Sequence, residues 1–179
     1  MELWVFAYGS LMWDPGFHYE EAAPAHLYGY HRAFCIHSLI YRGTRAKPGL
    51  VFGLDQGGSC RGLAYLVRAQ RARQVLDYLA EREIAYDVYI PRLYPVRLKD
   101  RAVRAVTLIA NRANHQYAGK PAPERVAEVI VTSRGKRGQN LAYLENTVRH
   151  LDELGIHDKT LSRILRLAHA RRDADKRGA

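Results

Sequence analysis

The chain predicts an α+β fold, with strands first, one helix among them and a helical C-terminal third. Three observations carry this reading. Leu3-Trp4-Val5-Phe6-Ala7-Tyr8 is a run of β-forming residues that starts almost at once. Over residues 70–83 the apolar spacing becomes helical, and it does so again from Pro123 onward. No repeat and no linker divides the 179 residues, so one domain is expected over residues 1–170, followed by a basic, flexible tail over 171–179.

The first strand breaks at Gly9-Ser10 and runs into Leu11-Met12-Trp13-Asp14-Pro15-Gly16, a loop dense in turn residues. Residues 26–41 read as one long strand or two short ones, and residues 42–49 as loop. Apolar runs at 50–54 and 62–67 flank Asp55-Gln56-Gly57-Gly58, the pattern of a hairpin. Beyond the helix at 70–83, strands are expected at 88–98, interrupted by Pro91 and Pro95, and at 103–110. Residues 111–123 are loop. Three helices close the chain at 123–134, 140–154 and 159–170, with Asn140 as a candidate N-cap.

Lys and Arg total 28 against 18 Asp and Glu, a net charge of +10, and 47% of the residues are hydrophobic. That apolar share supports a packed core and excludes a disordered chain. No apolar run approaches the ~20 residues of a membrane span. Met1-Glu2-Leu3-Trp4-Val5-Phe6 lacks the basic start and the cleavage site of a signal peptide. Cys35 and Cys60 are too few for a disulfide scaffold. A reduced, cytoplasmic protein without a membrane partner is expected. Positive charge concentrates in Lys159, Arg163, Arg166, Arg171, Arg172, Lys176 and Arg177. Such a stretch can bind phosphate backbones. No nucleic-acid motif accompanies it, so it reads as a solvated segment and nucleic acid is not an expected partner. Oligomeric state stays open.

Tyr8-Gly9-Ser10-Leu11 follows directly on an apolar strand. A glycine there lets backbone N–H groups turn toward a carboxylate or an oxyanion, and an ordinary turn reads the same. Neither a phosphate-loop ending nor a Gly-x-Ser-x-Gly elbow is present. In the helix at 70–83, Leu76, Leu79 and Glu83 share the apolar face, while Gln74, Asp77 and Glu81 share a polar one. Glu83 thus continues the inward stripe near a helix C-terminus. Burial and the helix dipole both oppose its ionisation, which predicts a raised pKa and suits a general base. The alternative is a glutamate at a fraying end, paired with Arg82 or Arg92. Tyr143, one turn into the helix that opens at Asn140, faces either a site or the core. His31, Cys35 and His37 share one face of a period-two strand. No Cys-x-x-Cys or His-Glu-x-x-His accompanies them, so no metal and no cofactor are expected.

Together these segments resemble the ChaC-type γ-glutamylcyclotransferases, which act on glutathione. The resemblance spans nearly the whole chain. It runs through Leu3-Trp4-Val5-Phe6-Ala7-Tyr8-Gly9-Ser10-Leu11-Met12-Trp13, His31-Arg32-Ala33-Phe34-Cys35 and Gly43-Thr44-Arg45 with Pro48-Gly49-Leu50. It continues through Gly62-Leu63-Ala64-Tyr65, Tyr78-Leu79-Ala80-Glu81-Arg82-Glu83 and Gly138-Gln139-Asn140-Leu141-Ala142-Tyr143-Leu144. Tyr-Gly-Ser-Leu belongs to the wider superfamily; the Arg-Glu ending with the Asn-x-x-Tyr-Leu helix narrows it to the ChaC branch. Ala7 stands where a glycine is usual. The resemblance implies a small, mostly antiparallel β-barrel flanked by helices. It implies that Glu83 is the catalytic acid/base. It also implies that Val5, Phe6, Ala7, Tyr8, Gly9, Ser10 and Leu11 form the substrate-binding stretch and that Tyr143 lines the pocket. The implied reaction converts reduced glutathione to 5-oxoproline and cysteinyl-glycine without metal or cofactor. Two alternatives stay open: the same fold acting on another γ-glutamyl amine, and a non-catalytic binding module that uses the basic tail.

Overall fold

The computed structural model describes residues 2–84 and 86–178, so Met1, Ala85 and Ala179, the last residue of the expected tail, lie outside the described residues. Five strands form a closed barrel: β1 (Leu3–Ala7), β2 (Glu21–Ser38), β3 (Gly49–Val67), β4 (Tyr89–Arg97) and β5 (Ala102–Ala110). Their order is β1-β3-β2-β4-β5, with a further pairing between β3 and β5. β1 lies antiparallel to β3, from Leu3 opposite Val67 to Ala7 opposite Leu63. β5 runs parallel to β1, with Trp4 opposite Ala105, and to β3, with Leu54 opposite Ile109. The barrel is therefore mixed, and with the helices that follow it has the architecture that the resemblance implies.

The hairpin expected at Asp55-Gln56-Gly57-Gly58 is absent, and β3 is one continuous strand through these residues. Gly57 (φ 99°) and Gly58 (φ 67°) do adopt the left-handed backbone that the sequence signals. Here it does not end the strand. Leu54 then runs beside β5, while residues 63–67 run beside β1. β3 also neighbours β2 in the barrel. β4 also passes through Pro91 and Pro95 uninterrupted, pairing with β5 along its length and meeting β2 at His26 and Leu27. Both prolines are exposed, where a missing N–H is tolerated.

The described chain falls into two compact units. The first comprises residues up to Ala33 and Gly53–His115. Val5, Phe6, Ala7, Leu27, Leu54, Tyr65 and Ala105 are buried in it. Its helix α1 (Ala69–Leu79) runs on into a π-helical turn, Ala80–Ile84. The inward face of α1 is Val75 and Leu79; Leu76, expected on that face, is 39% exposed. Val75 and Leu79 are four apart, so the stripe passes one residue away from the spacing first read.

The second unit comprises Phe34–Phe52 and the described residues from Gln116 onward. It holds α2 (Pro123–Thr132), the short strands β6 (Arg134–Gly135) and β7 (Gly138–Gln139), α3 (Asn140–Glu153) and α4 (Lys159–Gly178). Pro123 opens α2, where its missing N–H has no partner to lose. Val126 and Ile130 of α2, Leu144 and Leu151 of α3, and Leu161, Ile164 and Ala168 of α4 are buried. Asn140 is the first residue of α3 and does not cap it. Its fully buried amide instead clasps β3: Oδ1 accepts the Leu50 N–H at 2.7 Å and Nδ2 donates to the Leu50 carbonyl at 2.8 Å. α4 continues past Ala170, where the sequence reading ended it, and carries ion pairs from Arg171 to Glu128 (3.6 Å) and from Arg172 to Glu145 (3.7 Å). Among the described residues no helix is long and apolar enough to cross a membrane.

Candidate active site

β1 ends in the first unit with Val5, Phe6 and Ala7 buried. Gly62 of β3 makes the close approach there: a Cβ on it would lie 2.2 Å from the Ala7 carbonyl oxygen. The Tyr8 ring is buried, and its hydroxyl donates to the Leu108 carbonyl at 2.9 Å. Arg32 of β2, itself buried, donates Nε–H to the Tyr8 carbonyl and Nη2–H to the Arg61 carbonyl. In a trans peptide the N–H points opposite to the carbonyl. The bond from Arg32 therefore aims the Gly9 N–H the other way.

Ser10–Met12 is a single 3-10 turn. The Met12 N–H returns to the Gly9 carbonyl at 2.9 Å and the Trp13 N–H to the Ser10 carbonyl at 3.2 Å. The Tyr65 hydroxyl serves the Leu11 and Met12 carbonyls at 3.1 and 2.9 Å. Burial, then the nearby Tyr19, push that hydroxyl up to about 12, so it remains a donor. The N–H groups of Ser10 and Leu11, at the start of the turn, have no partner within it. Such groups suit a carboxylate or a developing oxyanion.

Glu83 reaches this turn through Arg82. The Arg82 side chain is 9% exposed and that of Glu83 20%. Arg82 Nε lies 3.0 Å from Glu83 Oε1. Its Nη1 donates to the Tyr78 hydroxyl at 2.7 Å and to the Asp14 carbonyl at 2.8 Å, and its Nη2 donates to Ser10 Oγ at 3.1 Å. Burial opposes the Arg82 charge, but the hydrogen bond to Tyr78 and the charges of Glu83 and Asp14 outweigh it and hold its pKa above the ordinary value. The ion pair with Arg82, the alternative for Glu83 that the residues left open, is thus formed. Glu83 lies in the π-helical turn that follows α1, with its side chain partly exposed. Glu81 is exposed, as its face predicts.

The first unit therefore brings Ser10 and Glu83 onto Arg82, with Tyr8, Gly9 and Leu11 beside Ser10 in the chain. Val5 and Phe6 contribute core side chains, and whatever they offer a ligand is backbone. Tyr143 belongs to the second unit. Its buried ring lies against Phe52 (5.1 Å between centroids) and Phe34 (6.4 Å), with the Arg42 guanidinium 5.4 Å from its centre. His31 Nδ1 lies 2.9 Å from the Gly57 carbonyl, and Cys35 is fully buried. Among the described residues no group of three or more His, Cys, Asp or Glu side chains is arranged to hold a metal ion.

The sequence singles out neither Arg32 nor Arg82 as a site residue, and gives Arg82 only as a possible partner of Glu83. Arg32 shares the inward parity of β2 with Phe34 and Ile36, and a charge at that parity is the signal that could have found it. Arg82 is four residues after Tyr78, one helical turn on, but its reach to Ser10 and Asp14 depends on the tertiary fold.

A closed mixed barrel carries, after its first strand, a 3-10 turn tied by a buried arginine to a largely buried glutamate. The family described as "ChaC-like protein" matches residues 3–171. The chain belongs to this family. It is 34% identical over 164 residues to the glutathione-specific γ-glutamylcyclotransferase of Escherichia coli, covering 91% of this chain and 71% of that protein. It is 38% identical over 148 residues to glutathione-specific γ-glutamylcyclotransferase 1 of mouse, covering 79% of this chain and 66% of the mouse protein. A crystal structure of a yeast γ-glutamyl cyclotransferase specific to glutathione superposes with a TM-score of 0.88, at 24% identity, over 96% of this chain and 97% of that one. That last likeness is one of fold.

Proposed function

We propose that the chain is a γ-glutamylcyclotransferase that converts reduced glutathione to 5-oxoproline and cysteinyl-glycine. The observation that carries the reading is the tie from Ser10 through Arg82 to Glu83, in a chain whose bacterial and mammalian relatives bear that activity in their names. In a γ-glutamyl peptide the α-amine can attack its own γ-carbonyl. The C–N bond so formed closes a five-membered lactam, and breaking the old amide bond expels the amine of cysteinyl-glycine. The reaction needs no water and no external nucleophile. Holding the substrate in its ring-closing conformer is the larger part of the task.

Glu83 takes the proton that the α-ammonium must lose, because only the free amine is nucleophilic. The same carboxyl then delivers that proton to the leaving nitrogen, and the second proton, which the attacking nitrogen sheds as it becomes the lactam nitrogen, ends on the released amine, so cysteinyl-glycine leaves as its ammonium. The Gly9, Ser10 and Leu11 N–H groups receive the α-carboxylate or the oxyanion of the tetrahedral intermediate. Tyr143 serves as a pocket residue in this reading. The buried, unbridged Cys35 and Cys60 suit a reduced cytoplasmic setting.

The test is incubation with reduced glutathione and, separately, with γ-glutamyl-alanine. Equal amounts of 5-oxoproline and cysteinyl-glycine from the first, with no reaction of the second, are expected. Turnover of γ-glutamyl-alanine alone would assign the fold to another γ-glutamyl amine. Product from neither would remove the enzymatic reading.

A further inference from the structure

We propose that the second unit carries a phosphate-binding site built on Arg42 and Arg137, which takes the dianionic group of inorganic phosphate or of a small phosphate monoester. Two segments of this unit are basic without relief. Residues 34–52 and 129–144 hold Arg42, Arg45, Lys47, Arg134, Lys136 and Arg137 and no Asp or Glu. Among the described residues none of these six makes an ion pair. Cations of α2 and α4 are disposed otherwise: Arg125 and Arg171 pair with Glu128, Arg163 with Glu124 and Arg172 with Glu145. The charge of the C-terminal stretch is thus met in part by carboxylates, and the charge of the two loop segments is not. The backbone forces these loop cations together. Lys136 and Arg137, the turn between β6 and β7, donate their N–H groups to the Ile40 and Tyr41 carbonyls at 2.8 and 2.9 Å. Gly135 permits the approach, since a Cβ on it would lie 2.5 Å from the Ile40 carbonyl oxygen. Like charges held together in this way cost free energy that a bound anion recovers.

The Arg42 guanidinium is anchored at one end only. Its Nη1 donates to the Arg137 carbonyl at 2.7 Å and to the Gln139 carbonyl at 3.2 Å. The Nε–Nη2 edge, the fork that grips an oxyanion with two parallel bonds, makes no hydrogen bond among the described residues. The group lies 5.4 Å from the centre of the Tyr143 ring, and the Arg137 guanidinium lies 4.6 Å from the centre of the Tyr41 ring. Aromatic faces therefore hold both guanidiniums, and little side-chain freedom is left to lose when a ligand arrives. Burial is the main cause that lowers the Arg42 pKa; Tyr143 opposes it, and the Arg137 charge lowers it further. The two cations thus repel each other across the space an anion would fill. A carboxylate brings one negative charge, whereas a phosphate monoester brings about −1.5 to −2 and three acceptor oxygens. The second matches two guanidiniums in charge and in number of acceptors.

The test uses the full chain and involves no turnover, so it stands apart from the cyclotransferase reading. Inorganic phosphate, glycerol 3-phosphate, acetate and reduced glutathione are titrated separately at constant ionic strength in chloride. Binding is followed by calorimetry and by the nitrogen NMR signals of the arginine Nε–H groups. Saturable phosphate binding with a Kd of about 1 mM or tighter, and a shift of the Arg42 Nε signal, are expected. Tighter binding of inorganic phosphate assigns the site to the free anion, and tighter binding of glycerol 3-phosphate assigns it to a monoester. Arg137→Gln should weaken phosphate binding by about tenfold, the scale of one charge-assisted hydrogen bond. Arg42→Gln should weaken it at least as much. If that variant does not fold, Arg137→Gln decides, because the Arg137 side chain holds no backbone group in place. Arg171→Gln, which removes a cation paired with Glu128 in the same unit, should stay within about twofold. Phosphate and glycerol 3-phosphate binding no better than acetate would overturn the proposal, as would an unchanged affinity in a folded Arg137→Gln. An equal loss in Arg171→Gln and Arg137→Gln would mean diffuse attraction to a basic unit and would also overturn it. A shift of the Arg42 signal by glutathione at lower concentration than by phosphate would make the site one for carboxylate, and the proposal would fall.

Discussion

Two arginine–carboxylate pairs in the first unit are buried in opposite senses. In the pair of Asp55 and Arg112 the acid is sealed, with its side chain 1% exposed, while the arginine is 45% exposed. Asp55 Oδ1 takes both Nε and Nη2 of Arg112 at 2.7 Å and the Gln56 N–H at 3.0 Å. In the pair of Arg82 and Glu83 the cation is the sealed member, at 9%, and the acid is the more accessible one, at 20%. Proton transfer requires that the acid, not its counterion, can meet a ligand. A sealed carboxylate with its hydrogen bonds made contributes to stability, and removing its partner leaves a buried charge uncompensated. On the proposed function, the same two residue types separate into a structural pair and a reactive pair by which end is covered.

Four substitutions test this separation. Glu83→Gln should lower kcat/KM for glutathione by about a thousandfold, within the span of general acid–base catalysis, with little change in melting temperature. Asp55→Ala should do the reverse. It removes a sealed carboxylate with the hydrogen bonds it accepts and costs about 1–3 kcal/mol of unfolding free energy by denaturant titration, while the folded fraction keeps its rate. If both variants lost rate and stability together, the separation of roles would fail.

A smaller effect is expected where the turn is held by an uncharged group. Tyr65→Phe deletes the hydroxyl that serves the Leu11 and Met12 carbonyls and should cost about 1 kcal/mol. The sign of its pH dependence follows from the raised pKa. A tyrosine protonated in the fold up to about 12 contributes stability that is whole below the ordinary value near 10 and declines as pH rises from there to about 12. The Tyr65→Phe variant should therefore show a flatter alkaline stability curve than the original chain. Glu81→Gln, on the exposed face of the same π-helical turn, should change kcat by less than about twofold. A large loss there would mean that the face assignment is wrong.

Much of this arrangement is legible from residue types and spacing, and the exceptions have identifiable causes. Strand β1 and the break at Gly9-Ser10 are local events, set by a β-forming run followed by turn residues. The helix at 70–83 is found, but its inward face is misplaced at Leu76 because a single turn of period offers several stripes and tertiary packing chooses among them. The Asp55–Gly58 segment has strong hairpin chemistry, yet β3 continues, since its two ends find different partner strands, β5 at Leu54 and β1 at residues 63–67, and positive-φ glycines are tolerated within a strand as within a turn. Asn140 has an N-cap residue type, but its amide finds the Leu50 backbone, a partner 90 positions away in the chain. For the candidate site, the turn and the glutamate are visible as separate motifs. The arginines that orient them, Arg32 and Arg82, act through contacts with Tyr8 and Ser10 that no local pattern encodes.

The most direct test of the central claim is a single turnover of saturating glutathione by the Glu83→Gln variant, with 5-oxoproline quantified against the unaltered chain and glutathione binding measured on the same preparation. The account predicts that binding stays within about threefold while lactam formation slows by about a thousandfold, since the glutamine keeps the shape and loses the proton acceptor. A single-turnover rate near that of the unaltered chain, in a folded variant, would contradict it and move the acid/base role away from Glu83.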